Sequence, residues 1–273
     1  HPIYNRGMRK KQLGGIGATV LNDVAGSNKE FITQAMSVAA AWNLRILHNG
    51  VHTISFALQG GVGQQRVSYD NLHWSSQYSS STGYDPTMTG ENAMPTLRTF
   101  RAIVNTGVMW SYNARKAWSK KSGVTYFNGF ALNNLVKSPN YFSGNTKSPS
   151  FLFKSHGGMT IPVSPRFEVS PNYLFMQQGA AQQLNVGVYA GYSMQASRQA
   201  TPVKLITGVW HRFHDGMIFS AGIATKNINV GFSYDNNYAS MGKTFGNAGA
   251  YEMSISYRAP GRDNYKRISS PLL

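Results

Sequence analysis

Residues 227–258 read NINVGFSYDNNYASMGKTFGNAGAYEMSISYR. In the first arm Ile228, Val230, Phe232 and Tyr234 alternate with Asn229, Gly231, Ser233 and Asp235. In the second arm Tyr251, Met253, Ile255 and Tyr257 alternate with Glu252, Ser254, Ser256 and Arg258. A period of two marks an extended strand with one apolar and one polar face. A soluble sandwich would bury the apolar face on a second sheet. A membrane barrel would turn it to lipid and keep small polar residues inside. The short arms, the aromatic residues near their ends and the polar tip favour the barrel.

Composition points the same way. Charged residues make up 13% of the 273-residue chain, against about 25% in ordinary soluble domains. Gly, Tyr and Phe are abundant, and there is no Cys, which excludes a disulfide framework and thiolate chemistry. No stretch approaches the roughly 20 apolar residues of a membrane helix. A chain of this kind crosses a bilayer only as a closed barrel, which satisfies its own backbone. Such a barrel needs an export signal, and the sequence begins at His1 without one, so a longer precursor is expected.

Read in order, the same pattern gives twelve strands. Residues 1–12 are polar and basic, and Gly14–Asn22 is the first strand. Phe31–Arg45 is the second, although AMSVAAAWNL would also suit a helix; HNG at 48–50 signals a tight turn to Val51–Arg66. Regularity stops over Tyr69–Leu97, a long polar loop of the sort that is functional or disordered. Arg98–Tyr112 resumes it, with Val104, Val108, Trp110 and Tyr112 on one face. A basic turn, Asn113–Ser122, leads to Gly123–Leu135, and Val136–Phe153 is a second long loop. Then come Lys154–Val163, Arg166–Gln177, Gln182–Met194, Val203–Phe213, Gly216–Lys226 and the closing hairpin. The expected organisation is one all-β transmembrane antiparallel barrel over 1–258 and a basic tail over 259–273.

Bacterial barrels carry long loops outside and short turns in the periplasm. With Arg258 on the periplasmic side, the outside connections become 239–248, 214–215, 178–181, 136–153, 67–97 and 23–30. The three longest all fall there. Most of the basic residues behind the +16 formal charge then gather at the periplasmic ends. Arg115, Lys116, Lys120, Lys121, Arg262, Lys266 and Arg267 are candidate contacts for an acidic periplasmic partner, or simply keep those turns in water. Their scatter over many turns argues against nucleic acid.

Four runs, GGIGATVLND, FNGFALNNL, RFEVSPNYLF and INVGFSYDNNYASM…GAYEMSISYR, occur in order across residues 13–258. Together they resemble the PorP/SprF family of outer-membrane proteins of the Bacteroidota type IX secretion system. The resemblance implies a signal peptide, an early N-P-A-x-x-G pattern and two further strands ahead of residue 1, fourteen in all. It implies a role in secretion and gliding motility. The partners it implies are outer-membrane lipid, type IX translocon subunits or a secreted surface adhesin. It carries no catalytic residues and no cofactor. The tail APGRDNYKRISSPLL departs from the usual barrel ending at an aromatic residue.

Residues with catalytic potential are sparse. Glu168, Asp235 and Glu252 alternate with apolar neighbours and should face inward, paired with a base such as Arg258. His211, His214 and Asp215 share a tight turn, but residues three apart on a strand point to opposite faces, which does not favour a metal site. No Ser sits in a G-x-S-x-G elbow. The G-x-G of LQGGVGQ (58–64) lies within a strand with no helix to receive a phosphate. Trp110, Trp118, Tyr126, Tyr192, Tyr234 and Tyr257 fall near strand ends, as aromatic girdles do. The functions left open are a non-enzymatic secretion scaffold, a diffusion porin or hydrophobic-solute channel, and, needing a triad at one rim, a barrel enzyme.

Overall fold

The structure, a computed structural model, describes residues 2–4, 12–26, 29–46, 51–68, 75–79, 81, 83–85, 87–88, 97–113, 123–137, 150–194, 203–238 and 249–258. Its strands are β1 (Pro2–Tyr4), β2 (Gln12–Ala25), β3 (Phe31–Ile46), β4 (His52–Val67), β5 (Tyr78–Ser79), β6 (Gly83–Tyr84), β7 (Leu97–Asn113) and β8 (Thr125–Asn133). They continue with β9 (Leu152–Pro162), β10 (Phe167–Gln178), β11 (Ala181–Met194), β12 (Val203–Arg212), β13 (Gly216–Ala224), β14 (Ile228–Asn237) and β15 (Ala250–Tyr257). All except β5 and β6 form one sheet in which sequence neighbours are spatial neighbours, β1 through β4 and then β7 through β15. The twelve expected strands are its twelve long members, and β1 adds a three-residue pairing with β2. The fold is all-β and barrel-like, an antiparallel meander. No helix among the described residues is long and apolar enough to cross a membrane.

Contacts divide the chain into two units. The first is His1–Trp42, Phe56–Gly107 and Leu132–Leu152; the second is Asn43–Ser55, Val108–Ala131 and Phe153–Leu273. In the first unit β2 and β3 pair from Gly14 with Trp42 to Ala25 with Phe31. The segment that could have been a helix is therefore a strand, because its apolar residues serve a two-residue period against β2. In the second unit β10 to β15 pair continuously. Gly179 takes the left-handed conformation (φ 58°) in the turn joining Gln178 to Ala181, a backbone state open to glycine without steric cost.

Burial is inverted relative to a soluble domain. Among the described residues only two hydrophobic side chains, Val67 and Trp210, are buried, whereas Ser37, Thr99, Ser111, Asn113, Ser155, Ser170 and Asn172 are. Large apolar residues stand in the open: Val20 is 73% exposed, Phe100 71%, Ile255 68% and Tyr251 73%. So extensive an apolar surface needs an apolar solvent. In the closing hairpin Ile228 faces Tyr257, Val230 faces Ile255, Phe232 faces Met253 and Tyr234 faces Tyr251. Every apolar pair lies on the exposed face, and Asn229–Ser256, Gly231–Ser254 and Ser233–Glu252 lie on the other.

The structure adjusts several boundaries. Asp23 to Ala25 extend β2 rather than opening a loop. The stretch 69–97 is not wholly irregular, since β5 and β6 form a small hairpin within it. The HNG turn at 48–50, most of 136–153 and the tail 259–273 lie outside the described residues.

Adjacent residues on β14 should respond oppositely to the same charge. Phe232→Arg puts a guanidinium on the lipid face at mid-strand and is expected to cost about 2–4 kcal/mol. Ser233→Arg puts it opposite Glu252 on the inner face and should cost less than about 1 kcal/mol. Urea unfolding in lipid vesicles measures both.

Candidate functional site

The inner face is the polar face of each strand, and its groups are largely satisfied by one another. In the first unit a relay crosses the strands. Gln59 Nε2 donates to Ser37 Oγ (2.7 Å), Asn105 Nδ2 donates to Gln59 Oε1 (2.8 Å), and the Asn134 amide donates to Asn105 Oδ1 (2.9 Å). In the second unit Ser170 Oγ donates to Thr160 Oγ1 (3.1 Å), and Asn172 Nδ2 donates to the Ser170 carbonyl (2.8 Å). Buried polar atoms without such partners would be costly.

Two ion-pair systems reach over an intervening strand. Lys204 on β12 pairs with Glu168 on β10. Between them, on β11, lies Gly191; a Cβ there would come within 2.4 Å of Lys204 Cε and 3.1 Å of Glu168 Cγ. Arg212 on β12 binds both carboxylate oxygens of Asp235 on β14 (2.8 and 3.0 Å). The strand between them, β13, carries Gly216 opposite Arg212. Arg212 also pairs with Asp215 in the adjoining turn, where His214 has φ 63°. Inward-facing acids were expected to pair with a base such as Arg258; the structure corrects that. Arg258 follows the last residue of β15, and its backbone amide donates to the Asn227 carbonyl (2.6 Å). Glu168 and Asp235 take Lys204 and Arg212 instead, because these share their face two strands away.

Aromatic rings use the same device. Trp210 lies over Gly187, directly opposite it across the β11–β12 ladder, and Tyr189 lies over Gly208. The two rings meet edge to face at 5.9 Å. Glycine on one strand thus leaves room for a ring from its neighbour, the aromatic rescue seen in many sheets.

Near the strand ends the outer face carries aromatic clusters. Trp110 packs edge-on to Tyr126 (4.7 Å), His52 stacks on Trp110 (5.8 Å), and Tyr112 lies 4.9 Å from His52. Trp110 Nε1 donates to His52 Nδ1 (3.3 Å). Elsewhere His211 packs against Phe213 (4.6 Å), and the Tyr238 hydroxyl lies 3.4 Å from His211 Nδ1. The structure thus separates the three turn residues. His211 joins an outer aromatic cluster, His214 makes the turn and Asp215 pairs with Arg212. No group of three or more metal-ligating side chains occurs among the described residues. Trp118 and the seven candidate partner contacts Arg115, Lys116, Lys120, Lys121, Arg262, Lys266 and Arg267 lie outside them.

Sequence reasoning missed Lys204, Arg212 and Trp210 as inner-face residues. For the two cations a signal existed. Lys204 lies between Val203 and Leu205, and Arg212 between His211 and Phe213, so each occupies the inward phase. Trp210 shares that phase, two residues from Arg212, but only the register reveals the glycine beneath it.

The small hairpin between β4 and β7 is also ordered by polar contacts. Tyr78 and Tyr84 pack at 5.4 Å, and the Asp85 amide donates to the Gln77 carbonyl (2.8 Å). The Thr87 hydroxyl (2.6 Å) and amide (2.9 Å) both donate to Asp85 Oδ1. Those bonds, the side-chain one foremost, hold the Asp85 carboxyl below its ordinary pKa.

Two outcomes follow from these contacts. Gly187→Ala forces the Trp210 ring from its place and should cost about 1–3 kcal/mol, whereas Gly17→Ala, with open space around its Cβ, should be neutral in the same urea titration. Asp85 has a lowered pKa when the turn is formed, so the ordered turn binds fewer protons than the loose one. Its stabilisation is present above the ordinary carboxylate range and is lost as pH falls through the lowered value. The Thr87 amide resonance should shift with that titration, and Asp85→Asn should abolish the shift.

The model of one family, described as "Type IX secretion system membrane protein PorP/SprF", matches residues 2–257. No curated protein matches the chain. The family match spans the whole meander from β1 to β15, and its membrane assignment agrees with the exposed apolar face. This chain belongs to the PorP/SprF family of type IX secretion system membrane proteins.

Proposed function

We propose that this protein is a non-enzymatic outer-membrane barrel of the type IX secretion and gliding machinery. It binds or anchors a secreted surface protein or translocon subunits. The carrying observation is the family match over residues 2–257. The inner face supports the same reading. Glu168 and Lys204, and Asp235 and Arg212, are joined in cross-strand pairs, an arrangement suited to a stiff wall. Recognition is then left to the connections and rims. On one side these are the hairpin of β5 and β6. On the other they are the basic turn with Arg115, Lys116, Lys120 and Lys121 and the tail with Arg262, Lys266 and Arg267.

The test is affinity purification in detergent from cells with active type IX secretion, with the outer membrane first separated by density. A stoichiometric secretion-system subunit or surface protein is expected to accompany the barrel in the outer-membrane fraction. Replacing Arg115, Lys116, Lys120 and Lys121 together with Gln should weaken a periplasmic association, most at low ionic strength. Recovery of the barrel alone would sink the proposal.

A further inference from the structure

On the outer face of the first unit β4 and β7 turn polar toward the segment 69–96, while Val24, paired with Ile32, keeps β2 and β3 apolar at the same level. The pairing of β3 with β4 follows from Ser68 N donating to the Glu30 carbonyl (2.9 Å) and from Gly61 lying against Ser37. That of β4 with β7 follows from Asn105 bonding Gln59 and from Arg101 lying against Gly63. Counting along these ladders, Met36 (61% exposed), Val62 (64% exposed) and Ala102 form one outward row. The next row is Gln34, Gln64 and Phe100. Beyond it come Ile32, Arg66 and Arg98. Arg66 and Arg98 therefore stand directly opposite each other, on the lipid-facing side, two rows beyond the last fully apolar one.

That arrangement is unfavourable as it stands. Both guanidiniums are permanently charged, and like charges directly opposite on adjacent strands repel. Neither takes part in an ion pair among the described residues. Arg66 Nε is moreover buried with no hydrogen-bond partner, a donor left unsatisfied at a cost. An anion between the two would relieve both penalties at once. Paired arginines offer planar forks that match phosphate oxygens, and a lipid-facing position just beyond the apolar rows is where headgroup phosphates lie.

We propose that Arg66 and Arg98 form a binding site for the phosphate group of a membrane lipid. The site rests on the outer face meeting lipid, and it is independent of which protein partner the barrel holds. Bound lipid neutralises the pair, satisfies Arg66 Nε and fixes the depth of β4 and β7 where they lead into the segment 69–96.

Native mass spectrometry of the full chain in a non-ionic detergent tests this, with dioleoyl phosphatidic acid as the probe and dioleoylglycerol as its phosphate-free counterpart. Wild type should retain one phosphatidic acid and no excess of dioleoylglycerol. The Arg66→Gln/Arg98→Gln variant should retain about tenfold less, the change that loss of about 1.4 kcal/mol produces. Heat-modifiable gel migration shows that each variant is folded. Should the double variant not fold, the single change at the exposed Arg98, Arg98→Gln, carries the comparison. Equal retention by wild type and a folded variant overturns the site, as does equal retention of dioleoylglycerol. Thermal stabilisation by inorganic phosphate alone that matches the lipid's would overturn the assignment to lipid. A chain that stayed dissolved as a monomer without detergent would instead refute the membrane face itself.

Discussion

A polypeptide in hydrocarbon has no water to take up its backbone N–H and C=O groups, so each must find a partner in the chain. Nearly every feature of this protein answers to that constraint. Long strands paired in a meander give each central strand a ladder on both edges. The side chains of such strands alternate by geometry, so one face can be apolar throughout and the other polar. The result is the reversal of ordinary burial, with Val20, Phe100 and Ile255 in the open and Ser170, Asn172 and Asn113 enclosed.

The reversal moves the packing problem to the polar side. An inner face built of charged and amide side chains is stable only where those groups meet one another. Here they meet over glycine. Gly191 leaves space for Glu168 and Lys204 to join across β11, and Gly187 and Gly208 leave space for Trp210 and Tyr189. Such contacts tie strands to their second neighbours as well as their first. The wall is thereby stiffened without an apolar core, and the Glu168–Lys204 and Arg212–Asp235 pairs help hold it together.

On the proposed function, recognition falls to what lies beyond the wall. The aromatic clusters around Trp110 and His211 suit the interfaces, where amphipathic rings are favoured. The Arg66–Arg98 pair suits a phosphate, and the β5–β6 hairpin, held by Asp85 and the paired Tyr78 and Tyr84 rings, offers a shaped surface in an otherwise long connection. Membership of a secretion-system membrane family accords with a wall that meets lipid.

Much of this could be read from the residues alone. The alternation in INVGFSYD and YEMSISYR is a local property, fixed by the two-residue repeat of an extended chain, so strand number, strand faces and the apolar exterior were legible. Ordered motifs carried the family as well. Which side chains meet was not legible, because Glu168 finds Lys204 on the inner face, and Arg66 comes opposite Arg98 on the outer one, only through the register of separate strands. Arg258 was a reasonable partner by sequence position and an incorrect one in space. A contact that passes over a glycine on an intervening strand depends on two registers and on one missing Cβ, and only the tertiary structure decides that.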